Sequence, residues 1–391
     1  MDARSVLAAR VADIAPFHVM EVQTAARLLE ASGRRVIHME IGEPDFPTPE
    51  PVLEAARAAL THGDIHYTSA LGLPALRESI ARHYRDHYQV DVDPERVVVT
   101  AGSSAALLLV MALIVGRDDE ILMADPGYPC NRHFVRVMEG EPVGIPVGPD
   151  QRYQLSAALV ESRWTSRTRG ALIATPSNPT GTTVAHDEMA RIVAAVAGRS
   201  GQLVVDEIYL GLSHAARLRS ALHLSQEIFV ISSFSKYFSM TGWRLGWAVV
   251  PARHVRDIEK LAQNLYISPS SLAQRAALGA FSAASLAILE QRREAFRERR
   301  DFLVPALRSI GFGIPVMPDG GFFVYADIAR FADDSLAFCR EVLEATGVAI
   351  TPGIDFGTNR AGAHVRFAYT VGMDALREGV ARLADHLGTR R

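Results

Sequence analysis

Lys236 stands in a turn of small polar residues, Ser232-Ser233-Phe234-Ser235-Lys236, directly after the apolar run Ile228-Phe229-Val230-Ile231. An amine held there, away from water, becomes a nucleophile. Asp206 closes a second apolar run, Leu203-Val204-Val205, and is followed by Glu207-Ile208-Tyr209. A carboxylate in that place wants a cation or several donors. Gly102-Ser103-Ser104 separates the run Val97-Val98-Val99 from an apolar helix that begins at Ala105. Free N–H groups and the positive end of the helix dipole make an anion site there, and glycine lets the backbone come close. Ser233 can add a hydroxyl, and Arg244 a two-pronged cation, for a phosphate. An anion cup, a buried carboxylate and a nucleophilic amine match what pyridoxal phosphate requires: a seat for its phosphate, a partner for its pyridinium nitrogen and a Schiff-base lysine.

The elements that must position these groups are legible as a pattern. Apolar runs of strand length recur at Val97–Val99, Glu120–Met123, Ala171–Ala174, Leu203–Val205 and Ile228–Ile231. Each passes at once into small polar residues, including Asp125-Pro126-Gly127-Tyr128-Pro129 and Ser177-Asn178-Pro179-Thr180-Gly181. Helical spacing, such as Met189, Ile192, Val193 and Val196, separates several of the runs. Near-continuous apolar strands alternating with helices imply an α/β fold whose mostly parallel sheet is covered on both faces. Ligands bind outside the carboxyl ends of the strands in such sheets, so the five ends describe one site. Thr48 is expected to cap a helix running through Leu60 and closed by Gly63, and Leu76, Ile80 and Tyr84 form a further helical stripe. The pattern changes near both ends. We therefore expect a large domain over 48–285 and a smaller α/β domain assembled from 1–47 and 286–391.

Composition narrows the class. The chain has 391 residues, and 41 Lys+Arg against 44 Asp+Glu leave a net charge of −3; a dedicated nucleic-acid binder needs a basic footprint instead. The densest charge, Gln291–Asp301, mixes signs and reads as the solvated face of a long helix. The longest apolar run, Ala105–Val115, has eleven residues, where a membrane span needs about 20. Two cysteines, Cys130 and Cys339, make no disulfide framework, and the first ten residues show no apolar leader; both fit a cytoplasmic protein. His62/His66 and His83/His87 are spaced i, i+4 without a third ligand or an HExxH motif, so no metal is expected.

The segment Ser233-Phe234-Ser235-Lys236-Tyr237-Phe238-Ser239-Met240-Thr241-Gly242-Trp243-Arg244-Leu245-Gly246 resembles the signature of class I/II aminotransferases of pyridoxal-phosphate fold type I, the aspartate aminotransferase superfamily. Asn178-Pro179-Thr180-Gly181, Asp206-Glu207-Ile208-Tyr209, Pro126-Gly127-Tyr128-Pro129, Tyr67 with Gly72-Leu73-Pro74-Ala75-Leu76-Arg77, and Val365-Arg366-Phe367 match the family in the same order. The resemblance implies that Lys236 binds the cofactor and moves the Cα proton, and that Asp206 keeps the pyridine nitrogen protonated. It implies that Tyr209 and Asn178 donate to the ring oxygen O3′, and that Tyr128 stacks on the ring. Gly102, Ser103, Ser104, Ser233 and Arg244 would hold the phosphate. Tyr67 would reach the phosphate of a neighbouring subunit, so the sites would be shared in a homodimer. Arg366 would grip the substrate α-carboxylate beside the Gly42 backbone, and Asn178-Pro179 is expected to be cis.

The resemblance further implies transamination between an L-amino acid and a 2-oxo acid, with 2-oxoglutarate the usual acceptor. Aspartate-selective members commonly carry Lys in the turn where this chain has Ser104, so a neutral or hydrophobic amino acid is the favoured substrate. Aspartate is the runner-up, with Arg10, Arg27 and Arg132 as possible sources of a second cation. A carbon–sulfur β-lyase on the same fold is the alternative reaction. Ile14, Phe17 and Val19 of the N-terminal arm are candidates to line the substrate pocket, as arms of related enzymes do.

Overall fold

A computed structural model describes residues 8–214 and 219–388. Residues 1–7, which carry most of the expectation about a leader, lie outside them. The chain opens with α1 (His18–Ala31) and the two-residue β1 (Ile37–His38). Then come α2 (Glu50–His62), α3 (Pro74–His83), β2 (Val97–Thr100), α4 (Ser103–Ile114), β3 (Glu120–Asp125), α5 (Pro129–Val137) and β4 (Glu141–Pro146). The alternation continues through α6 (Ala157–Arg163), β5 (Thr168–Ala174), α7 (His186–Ala197), β6 (Gln202–Asp206), β7 (Phe229–Ser233), β8 (Gly246–Val249), α8 (Val255–Leu265) and α9 (Ser271–Leu278). The 28-residue α10 (Ala283–Ile310) leads into β9 (Phe323–Asp327), α11 (Ser335–Thr346), β10 (Val348–Ala349), β11 (Thr351–Pro352), β12 (His364–Ala368) and α12 (Met373–Leu387).

Seven strands form one sheet in the order β2-β8-β7-β6-β5-β3-β4. The five apolar runs supply five of its seven strands, β2, β3, β5, β6 and β7, and β4 and β8 are additional; all pairings are parallel except those of β8, which runs antiparallel to both β2 and β7. β8 had no separate place in the sequence pattern, because Gly246–Val249 begins inside the motif that carries Lys236. Residues from both faces of the sheet, such as Val204 and Val205, are buried, so helices cover it on both sides. A three-stranded sheet, β11-β12-β9, and the parallel pair β1-β10 join segments from opposite ends of the chain. Helix α10 packs against both α2 and α12. Among the described residues no single helix is long and apolar enough to cross a membrane.

Three local expectations need correction or extension. Thr48 does not cap α2: Pro49 is its N-cap, and the Thr48 hydroxyl instead accepts from Trp243 Nε1 at 3.0 Å. Gly63 does close that helix, at φ +69°, as glycine does best. The charged stretch of α10 is not wholly a solvated face. Arg299 is buried, forms a two-pronged pair with Asp45 at 2.7 and 3.0 Å, and lies over the rings of Phe46 and Phe296. Asn178-Pro179 is cis, and so are Asp125-Pro126 and Thr175-Pro176, which the sequence did not single out.

Candidate active site

Strand register gathers the chemistry. Asp206 at the end of β6 lies between Ala174 of β5 and Ile231 of β7. Ser233 at the end of β7 faces Gly246, which also faces Thr100 of β2. The ends of four strands therefore converge on a cavity of about 290 Å³. Its lining includes Gly42, Ser103, Ser104, Tyr128, Asn178, Asp206, Tyr209, Lys236, Arg244 and Arg366. Ten of the thirteen residues singled out in the sequence thus meet in one place.

The remaining three are placed differently. Gly102 sits one layer back as the N-cap of α4, at φ +83°, and Arg244 packs against it. Ser233 is also behind the wall. Its hydroxyl donates to the Leu245 carbonyl at 3.0 Å, and Ser235 lines the cavity in its stead. The sequence had offered Ser233 alone, and its hydrogen bond to Leu245 turns that hydroxyl away from the cavity. Tyr67 is 82% exposed and lies on the surface, outside the cavity.

Burial shapes the electrostatics. Lys236 is enclosed, and desolvation pulls its amine down to about 8, opposed by the nearby Glu43. Its Nζ donates to the Gly42 carbonyl at 2.6 Å. Asp206 is pushed up to about 6 by burial, against the pull of the Ile208 N–H at 3.1 Å and of Lys236. A cationic partner at its free edge would reverse that rise. Burial also raises the Tyr209 phenol, which keeps it a donor. Tyr209 meets Phe322 and Phe323 edge-on, at 5.4 and 5.6 Å.

Arg366 on β12 is buried, and among the described residues no carboxylate lies within ion-pair distance of it. Burial lowers it to about 10, so it stays cationic at neutral pH. Nη1 donates to Asn178 Oδ1 at 3.0 Å, and Nη2 donates to Thr351 Oγ1 at 3.0 Å and to the Glu40 carbonyl at 2.5 Å. The guanidinium lies over the rings of Phe323 and Phe356, at 4.3 and 5.0 Å. Its Nε has no partner. A buried cation with a spare donor is built to receive an anion. Ser235, Thr241 and Phe323 of the lining, and Thr351 behind Arg366, were not singled out in the sequence; an apolar residue in a strand carries no signal of its role.

The three arginines considered as a second cation lie elsewhere. Arg10 pairs with Glu139, Arg27 is exposed, and Arg132 hydrogen-bonds the Asp355 carbonyl beside a neighbouring cavity. Ile14, Phe17 and Val19 do not line the Lys236 cavity. Helix α1 starts beside it all the same: the Asp355 carboxylate accepts from the His18 and Val19 N–H groups at 2.8 and 2.9 Å. Asp355 precedes Phe356, which lies against Arg366.

The residues fit pyridoxal phosphate. The N-terminus of α4 offers N–H groups to an anion, and a Cβ at Gly102 would come 2.8 Å from Arg244 Nη2. The cradle is thus open only because position 102 has no side chain. Asp206 could accept from a pyridinium, Tyr209 and Asn178 are polar groups on the same wall, and Lys236 is the enclosed amine.

The chain matches the family described as aminotransferase class I and II over residues 34–383. It is 38% identical over 378 residues to a valine–pyruvate aminotransferase of Mycobacterium tuberculosis, covering 96% of this chain and 97% of the relative. A crystal structure of an aminotransferase from M. tuberculosis superposes with a TM-score of 0.94 at 38% identity, covering 98% of this chain and 99% of that one. An aspartate aminotransferase from Thermus thermophilus with maleate gives a TM-score of 0.91 at 33% identity, covering 97% and 99%.

Proposed function

The chain belongs to the class I and II aminotransferases, which are pyridoxal-phosphate enzymes of fold type I, and from that premise we propose that it moves the amino group of a neutral L-amino acid to a 2-oxo acid, with 2-oxoglutarate as acceptor. The observation that carries this reading is a single cavity in which Lys236, Asp206 and Arg366 meet beside the Gly102–Arg244 cradle.

The cofactor supplies a carbonyl for the amino group and an electron-withdrawing ring. The side chains do the rest. Arg366, which lines the cavity, would bind the α-carboxylate and orient Cα. Lys236 would accept the Cα proton on Nζ and hold it for return; an amine lowered to about 8 is suited to both near neutral pH. Asp206 would keep the ring nitrogen protonated. Tyr209 and Asn178 would donate to the ring oxygen, Tyr128 would cover the ring, and the α4 N-terminus with Ser103, Ser104, Ser235 and Arg244 would hold the phosphate.

Two features support a neutral substrate. The cations lining the cavity, Lys236, Arg244 and Arg366, are already engaged by this reading, and aromatic rings close the wall around Arg366. The relative described as a valine–pyruvate aminotransferase points the same way. We further read the protein as a cytoplasmic homodimer of two-domain subunits, with a large domain over 48–285 and a small one from 1–47 and 286–391. In it the exposed Tyr67, with Leu60 and Ile65 exposed nearby in the chain, reaches the partner's phosphate.

The test is the visible absorption of the holoenzyme titrated with single amino acids. Valine, alanine or leucine bleaches the band, and 2-oxoglutarate restores it. Bleaching by aspartate alone overturns the neutral preference, and restoration by pyruvate but not 2-oxoglutarate replaces the acceptor. Pyruvate and ammonia released from cysteine without an acceptor favour the β-lyase.

A further inference from the structure

The turn that carries Lys236 is strained. Ser239 and Arg244 hold φ of +53° and +51°, a region that residues with a Cβ enter at a cost. Such conformations persist where the surroundings over-determine them. Tyr237, the residue after Lys236, is the buried anchor of this turn. Its ring fills a tight socket: a Cβ at Gly211 would lie 2.6 Å from Tyr237 Cγ, and Phe238 packs edge-on at 5.0 Å.

The Tyr237 hydroxyl leaves the socket in one direction. It donates to Glu290 Oε1 on α10 at 2.7 Å. Burial and the Glu290 carboxylate both raise the phenol, so it remains a neutral donor. One turn further along α10, Arg293 holds Glu290 Oε2 at 2.6 Å and reaches the Ser213 carbonyl at 3.3 Å. Ser213 forms a bridge with Gly320, and three residues later Phe323 forms the wall beside Arg366. The helix that packs on both α2 and α12 is therefore bonded to the Lys236 turn and, through Arg293, to the segment leading to the carboxylate-binding wall.

We propose that Tyr237 and Glu290 are a positioning pair for Lys236: their hydrogen bond clamps the lysine's turn onto α10 and sets where Nζ stands when it moves the substrate proton. The proposal rests on the reading of Lys236 as the cofactor-binding amine. Misplacement of a reacting group by about 1 Å can cost about a hundredfold in rate, so a small loosening of the turn is felt in the chemistry and not in carboxylate binding, which Arg366 governs from another strand.

The experiment uses the holoenzymes of Tyr237→Phe, Glu290→Gln and the double variant. Tyr237→Phe keeps the ring in its socket, so the fold is retained, and a Tm measured beside the kinetics checks it. Each single variant is expected to lower kcat about tenfold, to leave the KM for the amino acid within about twofold, and to shift the pH midpoint of the visible cofactor band. The double variant is expected to match the worse single one, since both remove the same bond. An unchanged kcat and midpoint with a lower Tm alone makes the bond merely structural and overturns the proposal, as do losses that multiply in the double variant. Borohydride reduction and peptide mapping of the parent enzyme separate the two readings. A label away from Lys236 fells the assignment of the amine, and the proposal with it. A label on Lys236 with unaltered variants fells the proposal alone.

Discussion

Lys236 Nζ and the Gly42 carbonyl are joined by a 2.6 Å hydrogen bond between residues 194 positions apart. The bond ties the end of the central sheet to the segment that follows β1. Gly42 has no room for a side chain, because a Cβ there would meet Phe323 Cζ at 2.8 Å. The Gly42 backbone thus adjoins both the amine and the aromatic wall.

Replacing that amine isolates its two roles. Lys236→Ala is expected to abolish the visible band formed with pyridoxal phosphate and to lower kcat by about 10⁴-fold, the upper range for loss of a positioned acid–base group. Spectra and single-turnover kinetics check both. A band that persists with ordinary intensity places the covalent link on another lysine.

The anion cradle predicts an effect on cofactor affinity. Gly102→Ala puts a Cβ at φ +83°, 2.8 Å from Arg244 Nη2. Strain of about 1–3 kcal/mol for such a backbone corresponds to a Kd for pyridoxal phosphate raised about five- to 150-fold. Equilibrium titration of the cofactor-free protein measures it. The amino-acid KM at saturating cofactor is expected to change little.

Substrate selection is testable at Ser104, which lines the cavity at the first turn of α4. Ser104→Lys adds a cation within the site. Aspartate is expected to gain at least about tenfold in kcat/KM relative to valine, since a hydrogen bond to a charged group contributes about 1.5–3 kcal/mol. Equal changes for both substrates sink the idea that a missing cation sets the preference.

Stability is expected to fall in mild acid through His83. Its ring is buried, both nitrogens lack partners among the described residues, and burial lowers its pKa from 6.5 to about 3. The unfolded chain binds a proton below pH 6.5 that the folded chain refuses. The neutral ring's contribution is therefore whole above pH 6.5 and is lost as pH falls towards 3, at up to about 1.4 kcal/mol per pH unit. His38 works in the opposite sense. Its hydrogen bonds with Glu40 and Glu30 raise it to about 9, so its contribution is present below pH 6.5 and lost as pH rises through 9. Denaturant midpoints of His83→Phe against the parent, taken from pH 7 to 4, check the first claim: the variant is expected to lose less.

The sequence carried Lys236 and Asp206 because a charged residue at the end of an apolar strand is costly and so informative. It carried the strand ends because parallel strands read as unbroken apolar runs. It did not carry β8, whose apolar residues follow directly on the lysine motif and were read as part of it, nor that Ser235 rather than Ser233 lines the cavity, which depends on a hydrogen bond to Leu245. Arg299 looked like one more surface charge among many until Asp45, far away in sequence, came to meet it. What stayed hidden was set by long-range partners, and local pattern records none of them.

The antiparallel β8 has a consequence for the order of assembly. It is the sole neighbour of the edge strand β2, and its first residue, Gly246, is synthesised about 150 residues after Val97. At about 5–20 residues per second, β2 and the glycine–serine turn behind it wait roughly 7–30 s on the ribosome for the strand that places them. The glycine–serine turn is encoded early in the chain, and its strand finds its sheet partner only when the segment bearing Lys236 has emerged.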